Sequence, residues 1–300
     1  RTNEMNMKGE KFRMGTVTAI AKTTLPLSVS ACIKSVMATA EDLLIPVSLQ
    51  KSGLTRPQSL SVIGTVKGLA VPLICFPSVL VTAFARLLLP EIADSRALSD
   101  KKRIVDSGNA VLSFTTAFSL LLSVIFFLFS DDIGLLIYND PEFFKTLKIL
   151  SLLIPFMYVD CISDSILKGM DQQLKVMQYS IAEAALRLCI VWFLIPKTGF
   201  SGVIAAIYAG NVLNAVLGIF KLKKIGVTTL KFFKKSFQAT LLYLVILFPV
   251  SVLILKISLH IILKLFLIAA GGCLCAVAAF SFNIITPEER KNMAGVVKKK

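Results

Sequence analysis

The residues of this chain best placed to do chemistry are ionisable groups set inside apolar stretches. Lys34, Glu41 and Asp42 fall in the first stretch, Lys67 and Arg86 in the second, Asp160 and Asp164 in the fourth, and Glu183 and Arg187 in the fifth. A charge at membrane depth costs ~2.5–3.5 kcal/mol on insertion scales, so each requires a partner or a wet cavity. Glu183 precedes Arg187 by one helical turn, in acid-before-base order, which predicts an internal ion pair. At ~1.5 Å per residue Glu183 lies ~14 Å into its helix, close to mid-bilayer. The short turn at 168–174 brings Asp160 to a similar depth, where it is expected to share Arg187. Lys34 and Glu41 occupy one face of the first helix with Ala38 between them, and that face looks into a cavity or towards Lys67. Lys34, Glu183 and Arg187 then act either as a buried structural ion-pair set or as contacts to a substrate or ion. Arg86, a few residues from a helix end, can reach the interface by snorkelling.

No catalytic constellation accompanies these charges. His260 is the single histidine and sits at a helix end, so there is no Ser/His/Asp set. Cys32, Cys75, Cys161, Cys189, Cys273 and Cys275 all lie in apolar stretches and are expected to behave as small buried hydrophobes. Cys273 and Cys275 have neither a histidine nor a second cysteine pair nearby, so no metal site is expected. There is no G-x-x-x-x-G-K-[ST] loop and hence no ATPase of the chain's own; uphill transport would draw on an ion gradient, a lipid-linked gradient or a partner. No cofactor is implied, and the chain is not expected to be an enzyme.

What must position these groups is a set of membrane helices. With 55% apolar residues, 17% charged residues and a mean hydropathy of +0.77, the composition departs from that of soluble domains. Uncharged windows at Gly68–Ala85, Ser107–Ser130, Thr198–Phe220, Ser236–Leu255 and Leu265–Pro287 are each long enough to cross a hydrocarbon core. Apolar length read against breakers predicts an all-α polytopic transmembrane bundle of about eight spanning helices, near 17–49, 60–90, 104–130, 142–168, 174–196, 199–222, 236–256 and 258–282. Pro72 and Pro77 predict a bend in the second helix, of the kind transporters use as pivots or to line cavities. Small residues at four-residue spacing predict close helix approach at Gly64 and Gly68, and along Gly202, Ala206, Gly210, Asn214 and Gly218, with Asn214 bonding across the interface.

The net charge of +15 does not indicate nucleic acid, because the basic residues are not gathered on one solvated face with aromatic partners. Instead 22 of the Lys and Arg residues lie in segments 1–22, 96–103, 168–175, 221–235 and 290–300, against seven in the alternate connections. By the positive-inside rule the first set is cytoplasmic, and an even helix count then puts both ends of the chain inside the cell membrane. The acidic loop 131–142 falls outside, and the basic segment 221–235 anchors at anionic headgroups. The opening RTNEMNMKGEKFR resembles an internal loop, so the chain is expected to be a fragment.

Two stretches carry a more specific likeness, KGLAVPLICFPSVLVTAFARLLLPEIADS (67–95) and LKGMDQQLKVMQYSIAEAALRLCIVWFLIPKTGFSGVIAAIYAGN (167–211). They resemble the polysaccharide-transporter branch of the multidrug/oligosaccharidyl-lipid/polysaccharide flippase superfamily, in particular the stage V sporulation protein B group of lipid II flippases. The P-x-x-x-x-P-S…LLLPEI pattern and the FLIPKTGFSG turn are the most characteristic parts. The resemblance covers most of 15–225 and implies a MATE/flippase-like fold of about fourteen helices, in two six-helix bundles facing a central cavity with two helices following, a repeat architecture common among transporters.

On that layout residues 1–16 are a cytoplasmic loop, 17–222 the second six-helix bundle, 223–235 a basic linker, 236–282 the terminal helix pair and 283–300 a basic cytoplasmic tail; the first bundle of the same protein would be a partner. The resemblance further implies translocation of a lipid-linked oligosaccharide or peptidoglycan precursor by alternating access, in cell-wall or spore-cortex synthesis. Lys34 and Lys67 are then the candidate contacts to the substrate's pyrophosphate, Glu41 a gate partner, and Asp160, Glu183 and Arg187 a structural or coupling set. Competing readings are an ion-coupled multidrug exporter of the same superfamily, and a membrane enzyme or scaffold of polysaccharide synthesis.

Overall fold

The structure, a computed structural model, describes residues 2–138, 140–227, 230–256, 261–281 and 285–298. His260 lies outside the described residues. All regular elements among those described are helical, as the apolar periodicity predicts.

The first helix, α1 (Thr2–Lys51), ends at a tight turn where Gly53 takes a φ of +99°. Thr55 then opens α2 (Arg56–Ile63) with a reciprocal capping box. Its hydroxyl accepts from the Gln58 N–H, and Gln58 Oε1 accepts from the Thr55 N–H at 2.9 Å. The chain continues through a π-helical stretch (Gly64–Ala70) into α3 (Val71–Cys75), with the Val71 N–H reaching back five residues to the Val66 carbonyl. Pro72 sits in the first turn of α3, where no donor is required. The expected bend takes the form of a break at Phe76–Pro77, after which α4 (Ser78–Ala97) starts anew. Tyr158 donates its hydroxyl at 2.8 Å to the Ile74 carbonyl just before that break.

The bundle is completed by α5 (Lys101–Leu128), α6 (Ser130–Ile137), α7 (Pro141–Ser151), α8 (Ile154–Gly169), α9 (Gln173–Phe193), α10 (Ile195–Thr198) and α11 (Phe200–Ile225). The expected single helix over 142–168 is two, α7 and α8, meeting at 48°. Pro155 in the first turn of α8 removes a donor there. By length and composition five described helices can cross a membrane, Arg56–Cys75, Lys101–Leu128, Gln173–Phe193, Phe200–Ile225 and Lys234–Ile254, or six if the bent pair counts as one span. The first helix, whose apolar part holds Lys34, Glu41 and Asp42, is not among them.

Packing places α1 along α9, α9 along α11, and α8 against α4, α5 and α11. The main apolar core includes Leu49, Ile74, Leu88, Leu112, Leu150 and Ile162. On the other side of α5 a second cluster, with Val124, Tyr243 and Leu247, joins it to α12 (Leu230–Lys256) and α13 (Ile261–Ser281). The small-residue stripe of α11 works as expected. A Cβ at Gly210 would stand 2.7 Å from Arg187 Cδ, and one at Gly218 would stand 3.0 Å from Ser163 Cβ. Gly64 and Gly68, by contrast, face open space: a Cβ at either would meet nothing within 4 Å, so the close approach expected there is not made within this chain's described residues. The cysteines are all free, but Cys275 is the buried one, whereas Cys32, Cys189 and Cys273 are exposed. Thiols that favour apolar surroundings lie at ease on a helix surface facing lipid as well as in a core.

The segment expected as a basic tail contains a further helix, α14 (Pro287–Lys298), which folds back along α5 and α4. Thr286 and Glu289 form its capping box, and Glu289 also accepts from Ser113 on α5 at 3.0 Å and from Lys235 on α12 at 2.9 Å. Burial pushes the Glu289 carboxyl up, but the Thr286 N–H, Lys235 and the two hydroxyls outweigh it and hold the group below its ordinary range. At the other end of the bundle Lys264 pairs with Asp132 of the acidic segment at 2.7 Å.

Candidate functional site in the helix bundle

The ionisable residues of the apolar stretches converge on the seam between α1 and α9. Glu41, 4% exposed, presents one oxygen to Lys67 Nζ at 3.3 Å and the other to Arg187 Nε at 3.2 Å. Lys67 stands on the π-helical stretch, from which it also reaches Asp42 at 2.6 Å. Arg187 also meets Glu183 of its own helix at 3.5 Å, the expected ion pair one turn apart. Its Nε contact to Glu41 has ion-pair distance without hydrogen-bond alignment, so that buried N–H remains unsatisfied. Gly210 makes the arrangement possible, because the Arg187 stem lies where any larger residue of α11 would place its Cβ.

Two cations here face three carboxylates, Glu41, Asp42 and Glu183. The cluster therefore has no surplus positive charge with which to hold an anion, and Lys67 is spent inside it. Glu41 and Glu183 are the buried members, so removing the cation that faces them strands a buried carboxylate, whereas the Lys67–Asp42 bond is exposed and contributes little.

Asp160 does not share Arg187. It accepts instead from Asn214 Nδ2 at 3.0 Å, and its other oxygen is buried without a partner. Equal depth on neighbouring helices does not fix rotation: Asp160 faces α11, while Arg187 is drawn across to α1.

Lys34 is exposed, two turns before Glu41, and has no ion-pair partner within 4.0 Å among the described residues. It lines a cavity of about 260 Å³ together with Asp164, Lys168 and Gln173 of the first turn of α9. Asp164 is engaged by Lys168 at 3.3 Å. Lys168 reads in the sequence as one more basic residue of a connecting turn, and only the packing of α1 along α9 brings it to the same cavity as Lys34. Arg86 is exposed. Near the α4–α5 turn the buried Glu91 pairs at 2.6 Å with the half-exposed Arg103, a contact that the sequence does not indicate.

No family model matches the chain, and no curated protein matches it. Among solved structures it is similar to a MOP superfamily transporter from Pyrococcus furiosus Vc1 (DSM3638), with a TM-score of 0.53 and 14% sequence identity. The match covers 92% of this chain and 67% of that one. The chain is thus an all-α, multi-pass membrane protein with the fold of a MOP superfamily transporter.

Proposed function

We propose that the chain is part of a membrane transporter that translocates a lipid-linked oligosaccharide or peptidoglycan precursor, lipid II-like, by alternating access, with both ends of the chain on the cytoplasmic side of the cell membrane. The observation that carries this reading is Lys34, which has no ion pair among the described residues and lines a largely apolar cavity at the start of α9 with Lys168 and a single carboxylate, Asp164. That cavity adjoins the Lys/Arg-rich turn 168–175, the level at which lipid phosphates lie when basic connections face the cytoplasm. An anion in a low-dielectric cavity is held strongly by such cations. Glu41 and Lys67 act in this scheme as a gate pair, and Arg187 with Glu183 as the counter-charge that keeps them folded. The division into a six-helix bundle and a terminal pair belongs to the same reading, supported by the two apolar clusters that meet at α5.

The carboxylate excess at Glu41, Asp42 and Glu183 favours a second reading, an exporter of organic cations driven by an ion gradient. Reconstitution separates the two. Proteoliposomes carrying the protein are expected to translocate fluorescent lipid II, and a Lys34→Ala/Lys168→Ala variant to lose at least about tenfold of the rate, the size of one or two charge-assisted hydrogen bonds. A protein that moves no lipid II but accumulates an organic cation overturns the first reading in favour of the second. Unchanged lipid II translocation by the double variant removes this cavity from the mechanism.

A further inference from the structure

At the end of the bundle opposite the Lys/Arg-rich turns lies a larger cavity, of about 550 Å³, between the α1–α2 turn, the π-helical stretch, the start of α7 and the α10–α11 turn. Its shape depends on Gly199, whose φ of +57° turns α10 into α11 and whose missing Cβ would stand 3.2 Å from Ser52 Oγ. Three features of the lining point to one class of ligand.

Thr65 is 7% exposed, yet its hydroxyl has no hydrogen-bond partner among the described residues and opens onto this cavity. A helical threonine ordinarily returns its proton to the preceding turn; the Thr65 hydroxyl does not and is left accessible from the cavity. Thr65 belongs to the π-helical stretch, a distortion that recurs at functional sites.

The other hydroxyls have a common polarity. Ser52, Thr146 and Thr198 each donate to a main-chain carbonyl, at 2.7, 2.8 and 2.9 Å, so each presents only lone pairs to a guest. Such a wall accepts hydrogen bonds and suits a molecule rich in hydroxyl donors.

Charge and apolar surface complete the description. Lys145 and Lys197 line the cavity with no carboxylate within 4.0 Å among the described residues, and the Glu142 side chain is likewise unpaired. Two ammonium groups against one carboxylate leave a net positive site, while Phe200, Leu54 and Val62 offer an apolar surface. Sugars present an apolar C–H face beside their hydroxyls, and an acidic sugar adds the anion that two lysines would hold.

We propose that this cavity is a binding site for an acidic saccharide, its carboxylate or phosphate between Lys145 and Lys197 and its hydroxyls donating to Thr65, Ser52 and Thr198. Its biological role as a second station for a translocated saccharide rests on the transport reading above; binding itself does not.

The test is saturation-transfer-difference NMR on the protein in lipid nanodiscs with sodium glucuronate, with glucose and inorganic phosphate as comparison probes. Glucuronate is expected to bind at least about tenfold more tightly than either, to weaken about tenfold or more in Lys145→Ala/Lys197→Ala, and to weaken severalfold in Thr65→Val, as loss of single hydrogen bonds requires. Phosphate binding as tightly as glucuronate, binding that ignores the double substitution, or no glucuronate binding would each overturn the proposal. Glucuronate binding by a protein that translocates nothing removes the transport reading alone, and translocation without glucuronate binding removes this site alone.

Discussion

Replacing Gly210 with alanine tests the packing that holds the charge cluster. The new Cβ would lie 2.7 Å from Arg187 Cδ and 2.8 Å from Cγ, inside any real carbon–carbon contact. Those atoms belong to the stem and not to a free tip, because the guanidinium is fixed at 3.2 Å from Glu41 and 3.5 Å from Glu183. Relief therefore requires α11 to draw back from α9 or the guanidinium to leave Glu41. Overpacking of this kind costs about 1–3 kcal/mol, against which the gain of replacing a helical glycine is at most ~1 kcal/mol. Thermal unfolding in detergent should show Gly210→Ala destabilised, and Gly68→Ala, where the added methyl meets nothing within 4 Å, near the parent. In an Arg187→Ala background the two shortest contacts are gone and only Glu183 Cγ at 3.3 Å remains close, so the Gly210→Ala penalty should shrink clearly, a coupling of the size expected for residues in contact. Equal penalties for Gly210→Ala with and without Arg187 would refute the claim that the glycine exists to admit that side chain.

Two further outcomes follow from single contacts. Glu289 is held below its ordinary range, so its contribution is fully present above the usual carboxylate pKa and is lost as pH falls through the lowered value in the docked helix. A spin label at Asn292 should stay immobilised on α14 down to about pH 4 and gain mobility only below it, whereas Glu289→Gln should loosen it already at neutral pH. Tyr158→Phe removes the donor to the Ile74 carbonyl beside the Phe76–Pro77 break and should lower stability by about 1–2 kcal/mol in the same unfolding assay, with no change if water replaces the hydroxyl.

What could be read from the residues in advance divides along a physical line. Interactions within one helix were accessible, since a turn of helix fixes both distance and face: Glu183 with Arg187 is the example. The break at Pro77 was accessible for the same local reason, whereas the break before Pro155 and the π-helical stretch before Pro72 were not. Contacts between helices were legible in direction but not in partner. The face of Glu41 does look at Lys67, yet the bridge from Glu41 to Arg187 depends on the offset at which α1 lies along α9. Asp160 shows the opposite failure, where correct depth and wrong rotation exchanged Arg187 for Asn214. The tail helix had a local signal that went unused, the T-x-x-E capping box at Thr286 and Glu289 with Pro287 between them.

The way the charges are shared also decides where the bundle can open. Each cation of the cluster has a second carboxylate on the element it would stay with. Lys67 keeps Asp42 of α1 at 2.6 Å, and Arg187 keeps Glu183 of α9 at 3.5 Å. Separating α1 from α9 therefore breaks one ion contact, Arg187 with Glu41, and strands neither cation, whereas separating α1 from the π-helical stretch breaks both bonds of Lys67 at once. Counted in ion contacts alone, the α1–α9 seam is therefore the cheaper place to part, although α1 packs along α9 more extensively than against any other element. The Lys34 cavity lies along that same seam, lined from α1 on one side and from α8 and α9 on the other. Glu41→Gln, which removes the one ion contact across the α1–α9 seam but leaves Lys67 its bond to Asp42, should then raise exchange of a spin-label pair placed across α1 and α9 while leaving a pair across α1 and the π-helical stretch at its parental distance. Equal loosening of both pairs would mean that Glu41 holds the whole cluster together and that no seam is favoured.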